Sequence, residues 1–194
     1  MRLLSATIDM GGVPVIVELG HFALILALAV AVIQSIVPLV GAERRNAAWM
    51  AVGDPAAVAQ FLLIGFSFAA LTYAFVVSDF SLSLVVGNSH TLKPMLYKIS
   101  GVWGNHEGSL LLWVLILALF GACAVWFGQN LPPQLKARVL AVQGMIGVAF
   151  LLFMLLTSNP FLRLEIPPLD GQDLNPLLQD PGLAFHPPFL YLGY

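Results

Sequence analysis

VIVELGHFALILALAVAVIQSIVPLV, residues 15–40, is the stretch whose reading decides the fold. It exceeds the roughly 20 apolar residues, at about 1.5 Å rise each, that a helix needs to cross a hydrocarbon core. Its ionisable side chains, Glu18 and His21, lie in the opening turns, and Pro38 and Gly41 are expected to close it before Glu43, Arg44 and Arg45. Ala23, Ala27, Ala31 and Ser35 recur every four residues and so share one helix face. In lipid such a stripe of small side chains lets two helices approach closely and pack by dispersion, which implies a partner for that face.

Three further runs have the same character, near residues 56–77, 107–127 and 138–157. Asp54 and Pro55 read as the N-cap and first residue of the second span. None of the three carries an ionisable side chain in its interior apart from Cys123, so they read as anchors rather than ion-conducting helices. Composition agrees: 59% of residues are hydrophobic, 9% are charged and mean hydropathy is +0.91. A soluble domain carries about a quarter charged residues, and this chain cannot cover a water-facing surface. The expected class is all-α, a polytopic integral membrane protein. A net charge of −2 offers no basic footprint for nucleic acid. One cysteine permits no disulfide framework, no CxxC pair and no CxxCH haem-attachment site. Residues 1–17 hold Asp9, a glycine pair and a proline where a signal peptide needs an apolar core; they read as a short, loosely ordered tail, with Met10 nearer a natural start. No internal repeat is visible.

Lysine and arginine set the orientation. The short connections after the first and third spans hold Arg44, Arg45, Lys136 and Arg138, whereas the two long connections hold only Lys93, Lys98 and Arg163. The short connections are therefore expected in the cytoplasm, and both termini and both long loops outside, in the periplasm of a Gram-negative bacterium.

The first long loop, 78–106, opens with the alternation Phe80-Ser-Leu-Ser-Leu84, which suggests a short strand. Gly87 and Asn88 then read as a turn, and Asn105 as the cap of the third span, with Glu107 complementing its dipole. The second long loop carries most of the prolines that follow Ser158 and is expected to be extended and stiff. One helical turn is expected within it, capped by Asn175 with Pro176 first and ended by Asp180 before Pro181; Gly182 would then reverse the chain.

Ligation of a metal or haem needs a neutral imidazole facing a cavity. His186 fits best of the four histidines. Pro187 and Pro188 are expected to open a fifth membrane helix, with His186 projecting beside its start. There the positive helix end disfavours imidazolium, and Phe185, Phe189, Tyr191 and Tyr194 would supply flat apolar walls. The competing reading, a histidine that merely caps a helix at the interface, stays open on residues alone. His106 begins the third span beside Trp103 and reads as structural, hydrogen-bonding across its loop. Glu18 and His21 read as a structural pair one turn apart, and His90 as a solvated loop residue. Asp170, Asp173 and Asp180 are separated by proline turns and do not resemble a metal-binding loop. His106-Glu107 lacks the second histidine of a zinc-protease helix.

Four strings carry a resemblance: LNPLLQDPGLAFHPPFLYLGY (174–194), WGNHEGSLLLW (103–113), KARVLAV (136–142) and FLLFMLLTSNPF (150–161). Together they resemble the CcmF/CycK/NrfE family of cytochrome c-type biogenesis proteins, along the chain from about Val15 to its last residue. The resemblance implies an inner-membrane haem lyase component. Such proteins receive haem from the chaperone CcmE and, with CcmH and CcmI, help attach it to apocytochrome c. It implies that His186, in the HPP motif, is a periplasmic axial ligand to haem iron. The family's second periplasmic histidine, its tryptophan-rich WWD segment and its membrane histidines would lie beyond Tyr194. The family usually has asparagine where this chain has His90, and the tail before Val15 departs from it. The chain therefore reads as an amino-terminal piece of something longer, without lyase activity by itself. Residues 158–194 would form a proline-rich periplasmic arm leading into a truncated fifth helix. A transporter or proton-translocating subunit is the alternative that four apolar helices also permit; it needs ionisable residues within the spans, and only Glu18 and His21 come near.

Overall fold

The computed structural model describes residues 13–193, so the tail up to residue 12 and Tyr194 lie outside the described residues. Among the described residues eight α-helices follow one another: α1 (Val13–Glu43), α2 (Ala47–Ala51), α3 (Gly53–Val77), α4 (Ser83–Asn88), α5 (Met95–Gly101), α6 (His106–Phe127), α7 (Pro133–Thr157) and α8 (Pro181–Gly193). Helix α1, the nearly continuous α2–α3 pair, α6 and α7 are each long and apolar enough to cross a membrane. The all-α, four-span class holds, and among the described residues there is no β-strand.

Helix ends differ from expectation where tertiary contacts override local chemistry. Helix α1 runs on through Pro38 to Glu43. Proline removes one backbone donor, but Pro38 is buried against α3, and a Cβ at Gly53 would lie 3.3 Å from its ring. Gly41 stays helical because the next turn lies on it: a Cβ there would sit 2.7 Å from the backbone nitrogen of Met50. Asp54 and Pro55 do not start a helix. They fall in the first turn of α3, which continues from α2, and Asn46 is the cap, accepting from the amides of Ala48 and Trp49. Asp54 instead pairs with Lys136 of α7 at 2.8 Å.

The four spans form a ring in the order α1, α3, α6, α7, each packed on its neighbours. The small-residue stripe of α1 is buried along its length, at Ala23, Ala27, Ala31 and Ser35. Its partner is α7, with α3 beside it. At Gly144 the two backbones come so close that a Cβ would lie 2.9 Å from the Ser35 nitrogen and 3.2 Å from the Ala31 carbonyl oxygen. Gln34, 1% exposed, crosses the same seam and donates to the Leu140 carbonyl at 2.9 Å. Gln143 in turn donates to the Leu117 carbonyl of α6. Interhelical bonds of this kind contribute roughly 1 kcal/mol each in a bilayer.

At one end of the ring lie the two long connections. The alternation at Phe80–Leu84 makes no strand. A single antiparallel bridge joins Leu82 to Arg163, and α4 begins at Ser83. The short run is satisfied by two bonds to the other loop, Ser83 N to Leu162 O and Leu164 N to Ser81 O, both 2.9 Å. Gly87 and Asn88 end α4 rather than form a free turn. The expected single turn in the second loop is a 3-10 turn at Pro176–Leu178 capped by Asn175.

Two glycines in the spans separate close packing from mere helix propensity. Gly144→Ala should destabilise the folded protein by about 1–3 kcal/mol through overpacking. Gly65→Ala, whose Cβ would meet only Leu115 at 3.8 Å, should be neutral or stabilising by up to about 1 kcal/mol. Thermal unfolding midpoints in detergent check the contrast.

Candidate functional site

Helix α8 carries His186, and its start is set by Asp180. The Asp180 carboxylate accepts from Leu183 N at 3.1 Å and its carbonyl from Ala184 N at 2.9 Å, with Pro181 at the first helical position. Helix therefore begins five residues before His186. Asp180 and Pro181 open it instead of ending the turn before it, and Gly182 lies within it rather than reversing the chain. Pro187 and Pro188 sit inside the helix instead of opening it. The bias of a pre-proline residue away from helix yields to the cap behind it and the packing below it. His186 thus lies beyond the first turn of α8, the reach of a helix dipole, and not at the helix end expected from the sequence.

Two contacts hold α8 to the bundle. The Trp103 indole N–H donates to the Ala184 carbonyl at 2.7 Å, and Tyr191 stacks on Trp113 of α6 with ring centroids 5.9 Å apart. At 100° per residue, Leu183, Ala184, Pro187 and Tyr191 share the face turned to the bundle, and His186, Phe185 and Phe189 share the opposite one. All three of the latter are exposed. His186 has no hydrogen bond or ring contact among the described residues. Of the expected aromatic walls, Phe185 and Phe189 accompany His186, Tyr191 faces away, and Tyr194 lies outside the described residues.

The bundle-facing side of α8 closes over an open cleft of about 430 Å³ lined by Trp103, Asn105, His106, Ser109, Pro187 and Tyr191. Asn105 caps α6, accepting from Gly108 N at 2.7 Å. Among the described residues His106 makes no hydrogen bond across its loop. It is exposed and meets Phe153 of α7 edge-on, centroids 6.2 Å apart. Glu18 and His21 do not pair with each other. Glu18 accepts from Arg163 at 2.6 Å, while His21 faces the Asn159 amide at 3.2 Å and stacks on Phe161. Both tie the second loop to the start of α1.

His90 is a loop residue, but it is pinned. Its Nε2 lies 3.1 Å from Asp170, and its Nδ1 accepts from Leu92 N. Nearby the Lys93 ammonium, 1% exposed, meets Asp173 at 2.8 Å and the Asn88 carbonyl at 2.9 Å. Burial pushes the Lys93 ammonium below the ordinary lysine range, against the opposing pull of Asp173. The Thr91 amide, then that of Gly171, the Thr91 hydroxyl and His90 hold Asp170 below the usual carboxylate range. For Asp173 burial pushes upward, but the Lys93 ammonium and the Leu174 amide outweigh it, and the carboxyl also ends below that range. These aspartates are seam residues between the two loops.

Residues 103–194, which include the cleft and all of α8, match the family model described as cytochrome C assembly protein. The cytochrome c-type biogenesis protein ccl1 of Rhodobacter capsulatus is 74% identical over 92% of this chain and 27% of its own length. CcmF of Pseudomonas aeruginosa is 56% identical over 91% of this chain and 27% of its own. The chain belongs to the CcmF/CycK family of cytochrome c-type biogenesis proteins. The solved cytochrome c haem lyase CcmF superposes on the whole chain with a TM-score of 0.77 at 26% identity, across 29% of its own length. The chain thus spans about a quarter of the length of these family members.

Sequence reasoning places Trp103 only as a neighbour of His106; its hold on α8 joins residues 81 positions apart. It likewise overlooks the partners of His90 and His21. The aspartate shifts carry a sign. A depressed folded-state pKa contributes stability that is present above the unfolded value, about 4, and lost as pH falls through the folded value. Amide protection in residues 88–93 and 170–175, corrected for intrinsic exchange, should therefore fall between pH 6 and pH 3. The double change Asp170→Asn, Asp173→Asn should flatten that dependence.

Proposed function

We propose that this chain forms part of a haem lyase for cytochrome c maturation, and that His186 is an axial ligand to the haem iron. The observation that carries this reading is the outward face of α8. It presents an exposed imidazole with no hydrogen-bond or ring partner among the described residues, flanked by exposed Phe185 and Phe189, on a helix fixed by Trp103 and Trp113. That donor set fits one side of a porphyrin: one nitrogen ligand and two flat apolar surfaces. It supplies one ligand only, and the second comes from elsewhere in the whole protein.

Haem is the substrate here, and its vinyl groups supply the electrophilic carbons. This chain's residues contribute placement. His186 fixes the iron, and Phe185 and Phe189 exclude water from the ring face. The cap at Asp180 and the anchor at Trp103 hold that face still while reduced cysteine thiols of apocytochrome c approach. Each thiol adds across a vinyl double bond, its sulfur bonding the carbon next to the ring and its proton passing to the terminal carbon. That step depends on proximity and orientation more than on an acid or base from the protein. Haem would come from CcmE, with CcmH and CcmI helping to attach it to the apoprotein.

In this reading the spans up to Thr157 anchor the chain in the bacterial inner membrane, and residues 158–193 are its periplasmic arm. Supporting this, Arg44, Arg45, Lys136 and Arg138 flank the short connections at the end opposite the long loops, as cytoplasmic arginines and lysines do. The proton-translocating alternative loses its residues, since Glu18 and His21 bind the second loop.

In the full-length protein His186→Ala should reduce holocytochrome c formation by at least tenfold while the protein still accumulates; unchanged holocytochrome would contradict the assignment. A cysteine at Leu169, a fully exposed position of the second loop, should react in intact cells with a maleimide that crosses the outer but not the inner membrane. One at Arg45 should react only after lysis.

A further inference from the structure

In an uninterrupted helix the carbonyl of Ala184 accepts from the amide of residue 188. Here residue 188 is proline and has no amide hydrogen. Its partner is missing by sequence, and Ala184 is 4% exposed, so water is a poor substitute. The Trp103 indole N–H fills the vacancy at 2.7 Å. We propose that Trp103 is a positioning residue for His186, clamping α8 through the carbonyl that Pro188 leaves open.

The donor is itself held rigidly. Asn105 donates to the carbonyls of Gly101 and Val102 at 2.7 and 3.1 Å, and Ser109 donates to the Trp103 carbonyl at 2.7 Å. Trp103 therefore stands on a locked turn between α5 and α6. Its bond reaches α8 two residues before His186, on the opposite side of the helix. A single fixed point there, with the Tyr191–Trp113 stack nearly two turns further on, sets the rotation of α8 about its axis. That rotation decides where His186 points. The two prolines are thus more than breaks: Pro188 creates an acceptor that only a side chain from another element can meet. An alanine at that position would let the helix satisfy itself and release the clamp.

This rests on the haem reading for its purpose, but not for its test, which uses hydrogen exchange in the full-length protein. Trp103→Phe keeps the ring and removes the donor. Exchange of the α8 amides should quicken roughly fivefold to tenfold, as expected for one lost hydrogen bond. Adding Pro188→Ala supplies an amide to the Ala184 carbonyl and should restore slow exchange. Adding Pro187→Ala supplies one to Leu183 instead and should not. If Trp103→Phe fails to fold, Pro188→Ala alone decides: competition for the carbonyl should speed exchange of the Trp103 indole proton. Wild-type exchange in Trp103→Phe, equal rescue by Pro187→Ala, or an unchanged indole proton in Pro188→Ala would overturn the clamp. Failure of the haem reading would show separately, as unchanged haem absorbance in His186→Ala with the exchange pattern intact.

Discussion

The contact between α1 and α7 at Ala31, Ser35 and Gly144 leaves no room for even a methyl group between the backbones. In lipid, where apolar side chains gain little by leaving one apolar medium for another, that closeness is what makes two helices pair. The rest of the fold follows from it. With α7 held on α1, the chain leaving α7 at Thr157 emerges beside the start of α1, and Asn159, Phe161 and Arg163 find His21 and Glu18 there. The second long loop is thereby laid against the first, and Lys93 and His90 pin it through Asp173 and Asp170. A proline-rich segment that could swing is instead tied down from Asn159 to Asp173 before it reaches α8.

Much of this is legible in the sequence because bilayer physics is demanding. A span must be about 20 residues long and nearly free of charge, so the four runs announce themselves, and the alanine stripe declares its buried face by its spacing. Helix ends are less legible because neighbours decide them. Pro38 continues α1 because Gly53 makes space for its ring, and Asp54 caps nothing because α2 already supplies the turn before it. The alternation at Phe80–Leu84 looked extended for a sound reason, but a single bridge to Arg163 satisfies it and the chain then coils into α4.

The site divides in the same way. His186 could be picked out by its proline and aromatic neighbours, and it does stand exposed beside Phe185 and Phe189. Its setting could not be read. The cap that starts α8 lies six residues earlier at Asp180, and its anchor lies 81 positions away at Trp103. His186 therefore lies inside α8 and not at its start. Orientation supports the haem reading: one face of α8 packs on the bundle, and the other turns outward with an imidazole that has no partner among the described residues.

The most direct test is an electron-density or cryo-microscopy map of the full-length protein with haem bound, at a resolution that locates the iron and the α8 side chains. The account predicts an iron–nitrogen bond to His186, with Phe185 and Phe189 against the ring and the Trp103 indole still on the Ala184 carbonyl. An iron held wholly by other residues, with His186 facing lipid or a neighbouring helix, would contradict it.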